Sequence, residues 1–139
     1  MDSNLPSRSD PQWPSGATDG AAWPPIPGVD GRLALHALRG DTGRYGRLLQ
    51  VFARHHAPDV DTLRASCTPG GNLTAARRCL HGLKGSASTV GATGLHALAV
   101  AVDARLHQGE PPAALAAELR QLADELLRLI EHIGCLRTE

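Results

Sequence analysis

The chain has 139 residues, 42% apolar and only 3% aromatic, which is room for one domain whose core must be built from Leu, Ala and Val. That composition favours close-packed helices over stacked strands, which call for β-branched and aromatic residues. The 14 basic and 14 acidic residues cancel, which argues against a nucleic-acid footprint.

Residues 1–28 read as a flexible linker. Pro6, Pro11, Pro14, Pro24, Pro25 and Pro27 are interspersed with Gly, Ser and Asp, and such a segment cannot offset its ordering entropy. It holds both tryptophans, Trp13 and Trp23. Of the two, Trp23 is the better placed to dock beside the first helix; the alternative is two solvated tail residues.

From Val29 the pattern turns helical, and residues 29–135 are expected to form the folded domain, with 136–139 a C-terminal tail. A short first helix is predicted over about Asp30 to Leu38, with Leu33, Leu35 and Leu38 apolar. Asp41 caps a second helix in which Tyr45, Leu48, Leu49, Phe52, Val60 and Leu63 recur at helical spacing. Pro58 lies inside this pattern and predicts a kink or break near Arg54 to Pro58. Thr68 to Gly71 is a turn. Asn72 caps a third helix with an apolar stripe of Leu73, Ala76, Leu80, Leu83, Ala87 and Val90, interrupted by Gly91. A fourth carries Leu95, Leu98, Val102 and Leu106 and ends at Gly109. Pro111 and Pro112 open a fifth, striped by Leu115, Leu119, Leu122, Leu126, Leu129 and Ile133 and closed by Gly134. Together these predict an all-α fold, an antiparallel four-helix bundle with an extra short N-terminal helix. The stripes of the third and fifth helices, around Leu80, Leu83, Leu122 and Leu126, are expected to pack against each other.

The third helix departs from what folding alone requires. Gly82 and Gly85 sit mid-helix, each at a cost of about 1 kcal/mol relative to alanine. His81 follows the core residue Leu80 and so lies at the edge of the stripe or beyond it. Thr74, Arg77, Arg78, Lys84, Gly85 and Ser88 share its face. Gly85, one turn on, leaves open surface where another protein can approach. Neutral imidazole is a competent nucleophile, and a cationic rim suits an anionic phosphoryl group. The arrangement suits transient attachment of a phosphoryl group to His81, which would make it the phosphoacceptor, with Lys84, Gly85 and Ser88 expected in the phosphoryl environment and Arg77, Arg78 and Gly82 expected in partner docking. The competing readings are plain ones. His81 can be a structural histidine, the arginines a solvated face, and Ser86 and Ser88 small helix residues.

The remaining histidines and the cysteines suggest no further chemistry. His55 and His56 diverge on a helix and lack partners at i+4. His36, His96, His107 and His132 read as isolated surface or packing residues. Cys67, Cys79 and Cys135 show no CxxC spacing and read as reduced cytosolic thiols. No apolar stretch approaches the ~18 residues of a membrane span, and no signal peptide is evident, so a cytoplasmic location is expected.

The run His81-Gly-Leu-Lys-Gly-Ser-Ala-Ser-Thr-Val-Gly-Ala92 closely resembles the signature of histidine-containing phosphotransfer (HPt) domains. Leu95, Leu98 and Asp103 extend the resemblance, as does Gly28-Val-Asp30 followed by Leu33; it covers about residues 28–134. Leu80 departs from the alanine usual before the histidine, and Pro58 is unusual in a bundle helix. The resemblance implies a monomeric phosphorelay carrier with no kinase activity of its own. It would accept a phosphoryl group, through Nε2, from a receiver-domain aspartate and pass it to the aspartate of a response regulator. It would have no cofactor of its own, Mg²⁺ residing on the partner receiver. The proline-rich lead resembles the linker after a receiver domain in a hybrid sensor histidine kinase of the virulence-sensor type, which would place the module at the cytoplasmic end of an inner-membrane sensor. A non-phosphorylated helical adapter and a metal-binding bundle are the alternatives.

Overall fold

The fold is taken from a computed structural model that describes residues 26–68 and 70–136. Trp13 and Trp23 lie outside the described residues. The elements are α1 (Arg32–Ala37), α2 (Thr42–Ala65), α3 (Leu73–Val90), α4 (Thr93–His107), a 3₁₀ turn (Pro112–Leu115) and α5 (Ala116–Gly134); no strand occurs among the described residues.

Capping residues set the starts of α2 and α3. The Asp41 carboxylate accepts from the Arg44 amide at 3.0 Å, and the Asn72 side chain accepts from the Ala75 amide at 3.0 Å. Each satisfies an amide that has no partner within its own helix. Proline opens the final hairpin as expected, but through one 3₁₀ turn in which Pro112 is buried. Gly134 is the last helical residue, not a left-handed cap beyond the end.

The four long helices form a ring in chain order. α2 packs on α3 and α5, and α4 packs on α3 and α5. Cross-links near the ends fix the antiparallel sense. The Tyr45 hydroxyl, at the start of α2, donates to the Val90 carbonyl at the end of α3. Gln50 donates to the Ile133 carbonyl at the end of α5 at 3.2 Å. Leu80, Leu83, Leu122 and Leu126 are all fully buried, as the stripes predict. Their helices are nevertheless diagonal partners, not neighbours, since each packs mainly on α2 and α4. Stripe periodicity tells which face turns inward, but not which helix stands adjacent.

Three further expectations are corrected. α2 runs through Pro58 as one helix, so of the kink or break expected there the break does not occur. This proline is exposed, so the carbonyl one turn back that loses its amide partner faces solvent and can bond to water. Leu73, in the first turn of α3, is 43% exposed and lies outside the core, and Leu33 is 84% exposed. α1 instead rests on the bundle through half-buried Ala34, Leu35 and Leu38. Ile26, within the segment read as linker, is buried together with Val29.

Gly91 ties this lead-in to α3. It ends the helix at φ +83°, and a Cβ there would stand 2.2 Å from the Asp30 carbonyl oxygen. The Asp30 amide donates to the Gly91 carbonyl at 2.7 Å. Only glycine permits both the left-handed conformation and that approach.

Candidate functional site

The phase of α3 divides its residues sharply. Ala76, Cys79, Leu80, Leu83, Ala87 and Val90 are buried, which turns His81, Gly82, Gly85 and Ser88 outward, all exposed. The His81 ring has no hydrogen-bond partner among the described residues. With Leu73, Thr74, Arg77, Arg78 and Asp103 it lines a shallow open depression between α3 and α4. A Cβ on Gly85 would meet nothing within 4 Å, so the bare shelf beside the imidazole is open to solvent. Ser88, two turns from His81, does not line the depression, and Ser86 is half-buried.

The cations near His81 are not a free solvated rim. Lys84 Nζ donates to Asp103 Oδ2 on α4 at 2.8 Å. Arg77 Nε lies 3.8 Å from Asp103 Oδ1, and Arg77 Nη2 is 3.1 Å from His107 Nδ1. Arg78 remains exposed. His96, read from sequence as isolated, bonds through Nδ1 to the Lys84 carbonyl at 2.9 Å. Because a carbonyl only accepts, Nδ1 carries the proton. α4 thus grips α3 by side chain and main chain around the same turn.

Beneath the opposite flank lies a pair that sequence reasoning missed. His56 is 1% exposed, and its Nδ1 lies 2.6 Å from Asp59 Oδ2. Its Nε2 is buried without a partner. A Cβ added to Gly82 would come 3.8 Å from His56 Cε1, so this imidazole lies under the glycine next to His81. The Cys79 thiol is pushed well up by burial, and the Asp59 charge adds to the shift. The signal was available: Tyr45, Leu49, Phe52, His56, Val60 and Leu63 form one stripe, and Asp59 follows at i+3.

The arrangement is an exposed imidazole on a helix face, with an open turn beside it and ion-paired cations within one turn on either side. Among the described residues none hydrogen-bonds to the His81 ring. Such a surface suits a group that arrives already activated, carried by another protein. A family model, that of the Hpt domain, matches residues 47–131, from within α2 to near the end of α5. No curated protein and no solved structure matches the chain. The match takes in more than half the sequence, α3 and α4 whole and most of α2 and α5, with His81 and its surrounding turns inside it: the chain belongs to the Hpt domain family, the phosphocarriers, not kinases, of two-component phosphorelays.

Proposed function

We propose that His81 is the phosphoacceptor, taking a phosphoryl group from a receiver-domain aspartate and giving it to the aspartate of a response regulator. The carrying observation is the exposed, unpartnered imidazole of His81 beside the open Gly85 turn. In the first transfer the Nε2 lone pair attacks phosphorus. The N–P bond forms as the bond from phosphorus to the aspartyl oxygen breaks, and the aspartate leaves as carboxylate. Nδ1 keeps its proton, so this step needs no base on the chain. The second transfer is the same exchange in reverse on another receiver.

Gly82 and Gly85 provide room for close docking, and Arg78 and Lys84 attract the anionic donor. The Mg²⁺ belongs to the receiver in this reading. The residues before Ile26 serve as a tether to a larger, cytoplasm-facing assembly, and the bundle acts as a monomer.

The test is incubation with a phosphorylated receiver domain. Wild type should take up acid-labile, alkali-stable label, while His81→Gln, which keeps a polar side chain but loses the nucleophilic nitrogen, folds and takes none. Label persisting in that variant on His55 or His96 would overturn the assignment. A wild-type chain that binds the receiver yet never labels would point to a helical adapter.

A further inference from the structure

Asp103 stands where both cations flanking His81 converge. Lys84 lies one turn after the imidazole and Arg77 one turn before it, and each faces a different oxygen of this one carboxylate. The carboxylate side chain is 14% exposed, against 31% for Lys84 and 43% for Arg77, so the anion lies deeper than the groups it holds. It also lines the depression that contains His81. The Arg77 contact, at 3.8 Å, is too long for a hydrogen bond, and that Nε has no other partner. The Lys84 contact, at 2.8 Å, is a charge-assisted hydrogen bond. The other charged or titratable groups around the site are Arg78 on α3, His107 on α4 and the His56–Asp59 pair of α2 beneath Gly82.

We infer that Asp103 is a positioning residue that acts on the phosphohistidine through Lys84, holding the ammonium on the α4 side and competing with the phosphoryl group for it. Deepening the phosphoacceptor reading, the inference rests on it. Without the competitor, Lys84 would be given over to the phosphoryl group and the phosphohistidine would become a poorer donor. With it, the ammonium is shared, and the phosphorylated state is held only as firmly as onward transfer tolerates. Asp103 touches no reacting atom. Its effect is on the energy of the charged state, and that effect requires Lys84 to be present.

The measurement is the equilibrium ratio of phosphorylated chain to phosphorylated receiver, using one purified receiver domain with wild type, Asp103→Asn, Asp103→Glu, Lys84→Ala and the Lys84→Ala/Asp103→Asn double variant. Circular dichroism confirms folding of each. Asp103→Asn should shift the ratio toward the phosphorylated chain by roughly two- to fivefold, the scale of a partly exposed ion pair. The shift should shrink at high salt. Asp103→Glu, which keeps the charge, should stay near wild type, and the Asn substitution should have no effect when Lys84 is already alanine. An unchanged ratio in Asp103→Asn, or an equal shift with and without Lys84, overturns the inference while wild type still labels at His81. A wild-type chain that takes no label overturns the phosphoacceptor reading itself, and this inference with it.

Discussion

The two seams that α3 and α5 make with their neighbours differ in kind. Between α2 and α5 the contact is mainly apolar, with a few polar links beside it: Gln50 to the Ile133 carbonyl, Arg64 to Asp124, and the Cys67 thiol, just past α2, to the Ala116 carbonyl. Between α3 and α4 polar links run along the seam: Lys84 to Asp103, Arg77 to His107, and His96 to the Lys84 carbonyl. The first seam is held by area removed from water. The second adds directional bonds to charged groups, which contribute little net stability when partly exposed but fix where charges stand. Stability and chemistry are therefore assigned to different sides of one small bundle.

Substitutions should separate the two sides. Leu126→Ala, at a fully buried site on α5, should cost roughly 2–5 kcal/mol in denaturant unfolding yet leave labelling of the folded fraction intact. A cost under about 1 kcal/mol would mean that the centre of the bundle is not packed as described. Leu83→Ala on α3 belongs to the same class.

Tyr45→Phe should cost about 0.5–1.5 kcal/mol by removing the bond to the Val90 carbonyl. The same residue predicts a pH effect. Burial raises its pKa in the fold above the ordinary 10.0, so the neutral phenol is favoured in the folded state. Its contribution is fully present below pH 10 and is lost as pH rises through the folded value. It is the only tyrosine. Phenolate absorbance should therefore appear together with loss of helix on alkaline titration, and ionisation near pH 10 with the helix intact would contradict the burial.

Gly85→Gln should change stability least, raising it by a few tenths of a kcal/mol through helix propensity, because open space receives the side chain. Phosphoryl transfer from a receiver should nevertheless fall by an order of magnitude or more, as a side chain one turn from the imidazole obstructs docking. Transfer at the wild-type rate would remove the glycine shelf from the mechanism. Lys84→Ala should slow that transfer while leaving His81 open to a small phosphodonor.

Much of this organisation was legible in the sequence because helices announce themselves by period. The sequence pattern carried the number of helices, the Asp41 and Asn72 caps and most of the inward residues, Leu33 and Leu73 excepted, and the phase of α3 turned His81 outward. What the period leaves open is anything that depends on a second helix. The diagonal placement of α3 and α5 is one such case, and the engagement of Lys84 and Arg77 by Asp103 is another, since the cations and the carboxylate are at least nineteen residues apart in sequence. Pro58 does not break α2 for a different reason: the penalty for proline in a helix assumes that the orphaned carbonyl has nowhere to turn, and on an exposed face it has water. His56 was legible but discounted, because a histidine on a leucine stripe was taken with its neighbour His55 and not with Asp59 three residues on.

The three cysteines are placed so that reagent access reports the state of the fold. Cys67 and Cys79 are buried and Cys135 is exposed, and burial pushes both inner thiols toward the unreactive protonated form. Since the thiolate is the reacting species, a maleimide added at neutral pH should modify Cys135 alone in the native bundle and all three cysteines once it opens. A fluorophore can then be attached at the end of α5 without engineering the chain, and the slow appearance of the second and third adducts would time the opening of the bundle itself.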